Sequence, residues 1–92
     1  MWVRVGGAND RGVVVLYALS TCPWCKRTKK LLQDNGVPFQ YVDVDLLTGE
    51  EEDRIIADVA RLNPMRSFPT LVINGQVIAG FQEGKIREAL GL

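Results

Sequence analysis

Apolar residues in this chain alternate between two kinds of spacing. From Gly12 to Leu19, "GVVVLYAL", they run without interruption and are β-branched at Val13, Val14 and Val15. That suits a strand covered on both faces. From Pro23 to Asn35 the stripe Cys25, Thr28, Leu31/Leu32 recurs at helical spacing, and Gly36 and Pro38 end it. "PFQYVDV", Pro38 to Val44, reads as a second strand. In "TGEE" Thr48 stands three residues before Glu51, the form of a capping box, and predicts the start of a second helix. That helix carries Ile55, Val59 and Leu62 on one face and stops before Pro64. "TLVINGQVIA", Thr70 to Ala79, sets two short apolar strands around Asn74-Gly75, the pair suited to a type I′ turn. A last short helix spans about Gln82 to Leu90 and is closed by Gly91.

The predicted order is β-α-β-α-β-β-α. A β-α-β start implies parallel strands joined by a right-handed crossover, and the closing hairpin adds an antiparallel pair. The expected fold is therefore α/β, a four-stranded mixed sheet with three helices. Residues 13–92 make up this domain. Residues 1–12 fall outside the pattern, and "WVRV" reads equally as an added strand or a loose arm.

Composition excludes several classes of function. Eleven basic residues balance eleven acidic ones, so no charge bias points to nucleic acid, and there is no acidic tail. The longest apolar run, Val13 to Leu19, is too short to span a bilayer. The N-terminus lacks the apolar core of a signal peptide, so a cytoplasmic protein is expected.

The two cysteines, Cys22 and Cys25, are the only ones in the chain, and there is no histidine. A bridge closing so short a loop would add little stability and would stay open in a reducing cytosol. A structural zinc site needs four ligands, typically two such pairs. Redox chemistry remains. Cys22 follows the first strand directly and stands at a helix N-terminus, with Pro23 at the first helical position, where proline is favoured. A sulfur there meets unpaired backbone N–H groups and the positive end of the helix dipole, a setting that favours the thiolate. Lys26, Arg27, Lys29 and Lys30 follow within two turns and are expected to add positive potential. Cys25 shares the core-facing stripe. One sulfur is thus a nucleophile, the other its resolving partner.

A second segment, "RSFPT" (Arg66 to Thr70), puts Pro69 just before a strand. A cis Phe68–Pro69 bond there would turn the Phe68 backbone toward a cysteine-containing chain for strand-like pairing. With C-P-W-C after a strand, R-S-F-P-T before a hairpin and A-G-F ahead of the last helix, residues 13–92 resemble the glutaredoxin family. The resemblance implies a thioredoxin-like fold and a small dithiol thiol-disulfide oxidoreductase. Cys22 and Cys25 would be catalytic, and Trp24, Arg27, Phe68, Pro69, Gly80, Phe81 and Gln82 would contact substrate. Partners would be protein disulfides or glutathionylated proteins. The donor would be glutathione, as co-substrate, or a thioredoxin-reductase-type enzyme.

The chain departs from the family pattern at "AGFQE" (Ala79 to Glu83), where a glycine pair and an Asp usually stand. "GF" followed by an acidic residue is also similar to NrdH-type redoxins, which take electrons from thioredoxin reductase. No tightly bound cofactor or metal is expected, and the protein is expected to be a monomer. Asp43 and Asp45 read as an acidic strand end rather than a metal pair. Trp24 and Arg27 read equally as surface packing and a solvated helix face. Two other functions stay open. One is a glutathione-assisted iron–sulfur carrier, which an available Cys25 disfavours; the other is a non-catalytic redox switch.

Overall fold

The computed structural model describes all 92 residues. Its strands are β1 (Val3–Val5), β2 (Val14–Ala18), β3 (Phe39–Asp43), β4 (Thr70–Ile73) and β5 (Gln76–Ala79), and its helices α1 (Pro23–Asp34), α2 (Gly49–Leu62) and α3 (Glu83–Leu90). The sheet order is β1-β3-β2-β4-β5. β2 runs parallel to β3 and antiparallel to β4, as the β-α-β start and closing hairpin require. This is the thioredoxin-like arrangement of three helices on a mixed sheet, with five strands rather than four.

The fifth strand is β1, which pairs antiparallel with β3, placing Val3 opposite Tyr41 and Val5 opposite Phe39. Trp2, just ahead of it, meets Tyr17 edge-on with ring centroids 5.4 Å apart. The segment after β1 is strapped down. The Asn9 N–H donates to the Gly36 carbonyl (2.9 Å), and Arg11 Nη1 donates to the Gly91 carbonyl (3.1 Å). Gly7 passes so close to Gly36 that a Cβ would collide with the Gly36 carbonyl oxygen, which is backbone and cannot swing away. Gly7→Ala should therefore cost about 1–3 kcal/mol, the usual scale of overpacking. It should also release protection of the Val3–Val5 amides in hydrogen exchange while α1 stays protected.

β2 is covered on both faces, as its unbroken apolar run predicts. Leu16 and Ala18 pack with Leu32 of α1 and Ile86 and Leu90 of α3 on one side. Tyr17 packs with Val42, Val44, and Ile55 and Val59 of α2 on the other. The hairpin turn has Asn74 at φ 49 and Gly75 at φ 86, the left-handed pair of a type I′ turn. Asn74 also clamps the neighbouring segment: its Oδ1 accepts the Val13 N–H (2.8 Å) and its Nδ2 donates to the Arg11 carbonyl (2.9 Å).

The capping box at α2 does not form. Thr48 is the N-cap residue, but its side chain makes no hydrogen bond to the first turn. The chain enters the helix through Gly49 at φ 63, a left-handed step that takes the Thr48 hydroxyl off the approach a cap needs. Glu50, Glu51 and Glu52 still place negative charge at the positive end of the helix.

Candidate active site

The carboxyl end of β2 delivers the chain to Cys22 through a short loop held from two directions. The Cys22 N–H donates to the Leu19 carbonyl (3.2 Å), and the Ser20 N–H donates to Asp45 Oδ1 (2.8 Å). The Ser20 hydroxyl donates to the other Asp45 oxygen, and these two bonds hold the Asp45 carboxyl below its ordinary range. Asp45 is thus a loop brace. Asp43 pairs with Lys29 at 3.2 Å. No group of three or more histidine, cysteine, aspartate or glutamate side chains is placed to hold a metal.

Cys22 is the N-cap of α1, with Pro23 filling the first helical position. Its Sγ accepts the Cys25 N–H at 3.3 Å, as a capping serine oxygen would. Cys25, one turn on, is wholly buried within the α1/α3 core, while Cys22 is partly exposed. Both sulfurs are free thiols. Burial, and then the hydrogen bond with Cys22, push the Cys25 thiol up from 9.0 to about 12. The helix that presents the sulfurs is tightened by Thr28, buried on the same stripe, whose hydroxyl donates to the Trp24 carbonyl at 2.8 Å.

The cations after the pair are largely engaged elsewhere. Lys29 Nζ lies 3.9 Å from the centre of the Tyr41 ring, besides its bond to Asp43, and Lys30 pairs with Asp34. The Arg27 guanidinium lies over the Trp24 ring at 5.1 Å. Lys29 still acts on the pair, its charge opposing the rise at the Cys25 thiol. Trp24, 52% exposed, in turn stacks on Phe81 with centroids 5.7 Å apart. The layered Arg27–Trp24–Phe81 arrangement joins α1 to the segment before α3.

Phe68 and Pro69 lead directly into β4, the neighbour of β2 in the sheet. The Phe68–Pro69 bond is cis. Phe68 packs against the cluster that includes Cys22 and Cys25, and Pro69 is buried. The Pro69 carbonyl accepts the Gly80 N–H (2.8 Å), so the hairpin pairing continues one step toward the site. Gly80 has φ 78, a conformation that favours glycine even though a Cβ there would meet open space. Gln82 Nε2 is turned back onto the Ala79 carbonyl (2.7 Å), and Glu83 pairs with Arg87 at 3.0 Å. All nine sequence-predicted positions thus lie on three adjoining segments, the start of α1, the Phe68–Pro69 step and the Gly80–Gln82 step.

Asn63 is a contributor the sequence did not reveal. It is 3% exposed, and its Nδ2 donates to the Ser67 carbonyl (3.2 Å), the Ser67 hydroxyl (3.1 Å) and Thr70 Oγ1 (3.1 Å). Its Oδ1 accepts the Met65 N–H at 3.2 Å. One amide thereby ties down the loop that carries Arg66 at φ 53 and leads into Phe68 and Pro69. An Asn just before a Pro at a helix end is the only trace of it in the sequence.

Comparison with known proteins places this geometry. The glutaredoxin family model matches residues 14–78. The glutaredoxin of Methanosarcina mazei Go1 superposes with a TM-score of 0.88 at 54% identity, over 99% of this chain and 88% of that one. The methanoredoxin of Methanosarcina acetivorans is 58% identical with a TM-score of 0.85, over 90% of this chain and 88% of that one. A probable glutaredoxin of Synechocystis is 42% identical over 67 residues, covering 73% of this chain and 72% of its own length.

Proposed function

This chain belongs to the glutaredoxin family, and we propose that it reduces disulfides of proteins or glutathione mixed disulfides by dithiol exchange, in a reducing cytoplasmic compartment. The observation that carries this reading is the pairing of an N-cap Cys22 Sγ with the N–H of a fully buried Cys25.

The steps follow from that pairing. Cys22 Sγ, as thiolate, attacks one sulfur of a substrate disulfide. The Cys22–substrate bond forms, the substrate S–S bond breaks, and the second substrate sulfur leaves as a thiolate that takes a proton. Charge on the Cys22 sulfur, as it attacks or later leaves, is met by the Cys25 N–H and the α1 terminus. Cys25 then attacks Cys22 Sγ, the bond from Cys22 to the substrate sulfur breaks, and the proton given up by Cys25 balances the one the departing sulfur takes up. The substrate departs reduced, and a Cys22–Cys25 disulfide remains for an external donor to reopen.

Timing is built into the buried thiol. Its acidity is suppressed first by burial, and then by a hydrogen bond and a charge interaction with Cys22. Once Cys22 is tied up in a mixed disulfide, its free sulfur no longer offers those last two influences. Cys25 becomes easier to deprotonate only after substrate has been captured. Trp24, Phe68, Pro69, Gly80 and Phe81 form the contact surface around the sulfurs.

Glutathione fits this surface less well than a protein partner. Gln82 and Glu83, at the family's positions for the γ-glutamyl end, are already bonded to Ala79 and Arg87, and Arg27 lies on Trp24. The oxidised protein should therefore be reset more slowly by glutathione with its reductase than by a thioredoxin-reductase-type flavoprotein with its nicotinamide donor. Measuring both rates side by side checks it. Fast recovery with glutathione and none with the flavoenzyme would reverse the ranking. Glu83→Asp, too short to hold Arg87 in the same way, should leave glutathione use unchanged or improve it.

A further inference from the structure

On the side of Phe68 toward α2 lies a hollow of about 300 Å³. Leu19, Val44, Ile56, Val59 and Phe68 make its apolar walls. Two of these belong to the site already described. The Leu19 carbonyl holds the Cys22 N–H, and Phe68 packs with the sulfur-bearing cluster on one side and the α2 cluster on the other. The hollow is thus continuous with the loops that frame the reactive sulfur. The elements around it carry exposed apolar side chains, with Ile56 at 42% exposure on α2, Leu46 at 69% after β3 and Met65 at 84% before Phe68. Such a collection beside a reactive group marks a contact surface. On the opposite side, the Arg27–Trp24–Phe81 stack and the bonded Gln82 and Glu83 already satisfy one another.

We propose that this hollow receives an apolar side chain, of leucine or phenylalanine size, from a polypeptide substrate, close in sequence to the cysteine that Cys22 attacks. The proposal rests on the disulfide-exchange reading and adds to it the class of substrate. A small charged thiol compound would find only Arg66, with the carboxylates of Asp45 and Glu52 also in the lining, whereas a chain extended past Phe68 can bury an apolar residue against the five apolar walls. Arg66 and Glu52, which also line the hollow and make no ion pair with each other, supply polar groups for the flanking backbone.

The test compares wild type with Ile56→Asp, a change at a partly exposed position outside the sulfur chemistry. The substrates are hydroxyethyl disulfide and peptide disulfides carrying leucine or aspartate one to three residues from the cysteine, on either side. At one or more positions the leucine peptide should show a kcat/KM about tenfold above its aspartate counterpart, a factor typical of a well-placed apolar group. In Ile56→Asp that ratio should fall to about one while hydroxyethyl disulfide turnover is unchanged. Equal rates for the two peptides at every position in wild type would overturn the proposal, as would a uniform loss on all substrates in the variant. Lack of turnover with every disulfide would instead count against the exchange reading. The hollow is then read directly, by titrating the leucine peptide with its cysteine replaced by serine. Methyl shifts at Leu19, Val44 and Ile56 would support it, and shifts confined to Trp24 and Phe81, or no shifts, would overturn it.

Discussion

Cys25→Ser should capture a substrate disulfide and fail to let it go. With the buried thiol replaced, the Cys22–substrate mixed disulfide has no internal sulfur to displace it, so it should accumulate as a species of added mass on non-reducing mass spectrometry. Turnover of a protein disulfide should fall below about one-thousandth of the wild-type rate, the scale on which a lost nucleophile is felt. An external thiol in excess should still discharge the trapped species. Cys22→Ser should form no adduct at all and be inactive with every disulfide. The burial of Cys25 makes the contrast sharp, because a sulfur with no exposed surface cannot start the reaction in its neighbour's place. An adduct on Cys25 in the Cys22→Ser protein would refute the assignment of roles.

Asn63→Ala should be the most damaging change outside the sulfurs and the apolar core. It removes three donated bonds, the one to Thr70 fully buried, and strands the Met65 N–H at a part-buried position. At about 1 kcal/mol for each net hydrogen bond, with an added penalty for groups left unpaired, the loss should reach about 2–3 kcal/mol. For a domain of this size that lowers Tm by about 10–20 °C. Catalysis should suffer through KM, because the loop holding Phe68 and Pro69 loosens while the helix terminus at Cys22 is untouched. Asn63→Asp, which keeps the acceptor for Met65 but sets a buried carboxylate oxygen against the Ser67 carbonyl, should destabilise at least as much. Arg66→Ala on the same loop, where the side chain is exposed, should change stability by no more than about 0.5 kcal/mol. A melting curve for Asn63→Ala that overlays the wild type would remove Asn63 from any positioning role.

The elements that were legible in the sequence are those whose signal is local. β2 announced itself by an apolar run with no polar face, α1 by the Cys25, Thr28, Leu31/Leu32 stripe, and the hairpin by Asn74-Gly75. The site was legible for the same reason. The cysteine pair, its proline and the Phe68–Pro69 step are each short motifs, and the fold only had to bring them together. What stayed hidden depends on partners distant in the chain. "VRV" is too short to tell from a loop, and it becomes β1 because β3 offers an open edge and Gly7 can pass against Gly36. The contacts of Lys29 with Asp43 and Tyr41 were likewise invisible, because both partners lie on another strand. The capping box failed on the left-handed Gly49, which no pairwise spacing encodes.

β1 also bears on how molecules of this protein meet one another. Without it, the outer edge of the sheet would be β3, five residues long, with its row of N–H and C=O groups open to any strand of another copy. In place of that edge the protein shows three residues, one of them Arg4, ended at once by Gly6 and Gly7. So brief and charged a border gives an incoming strand little to pair with. The protein is thereby guarded, on this side, against growing into ordered fibres of its own kind.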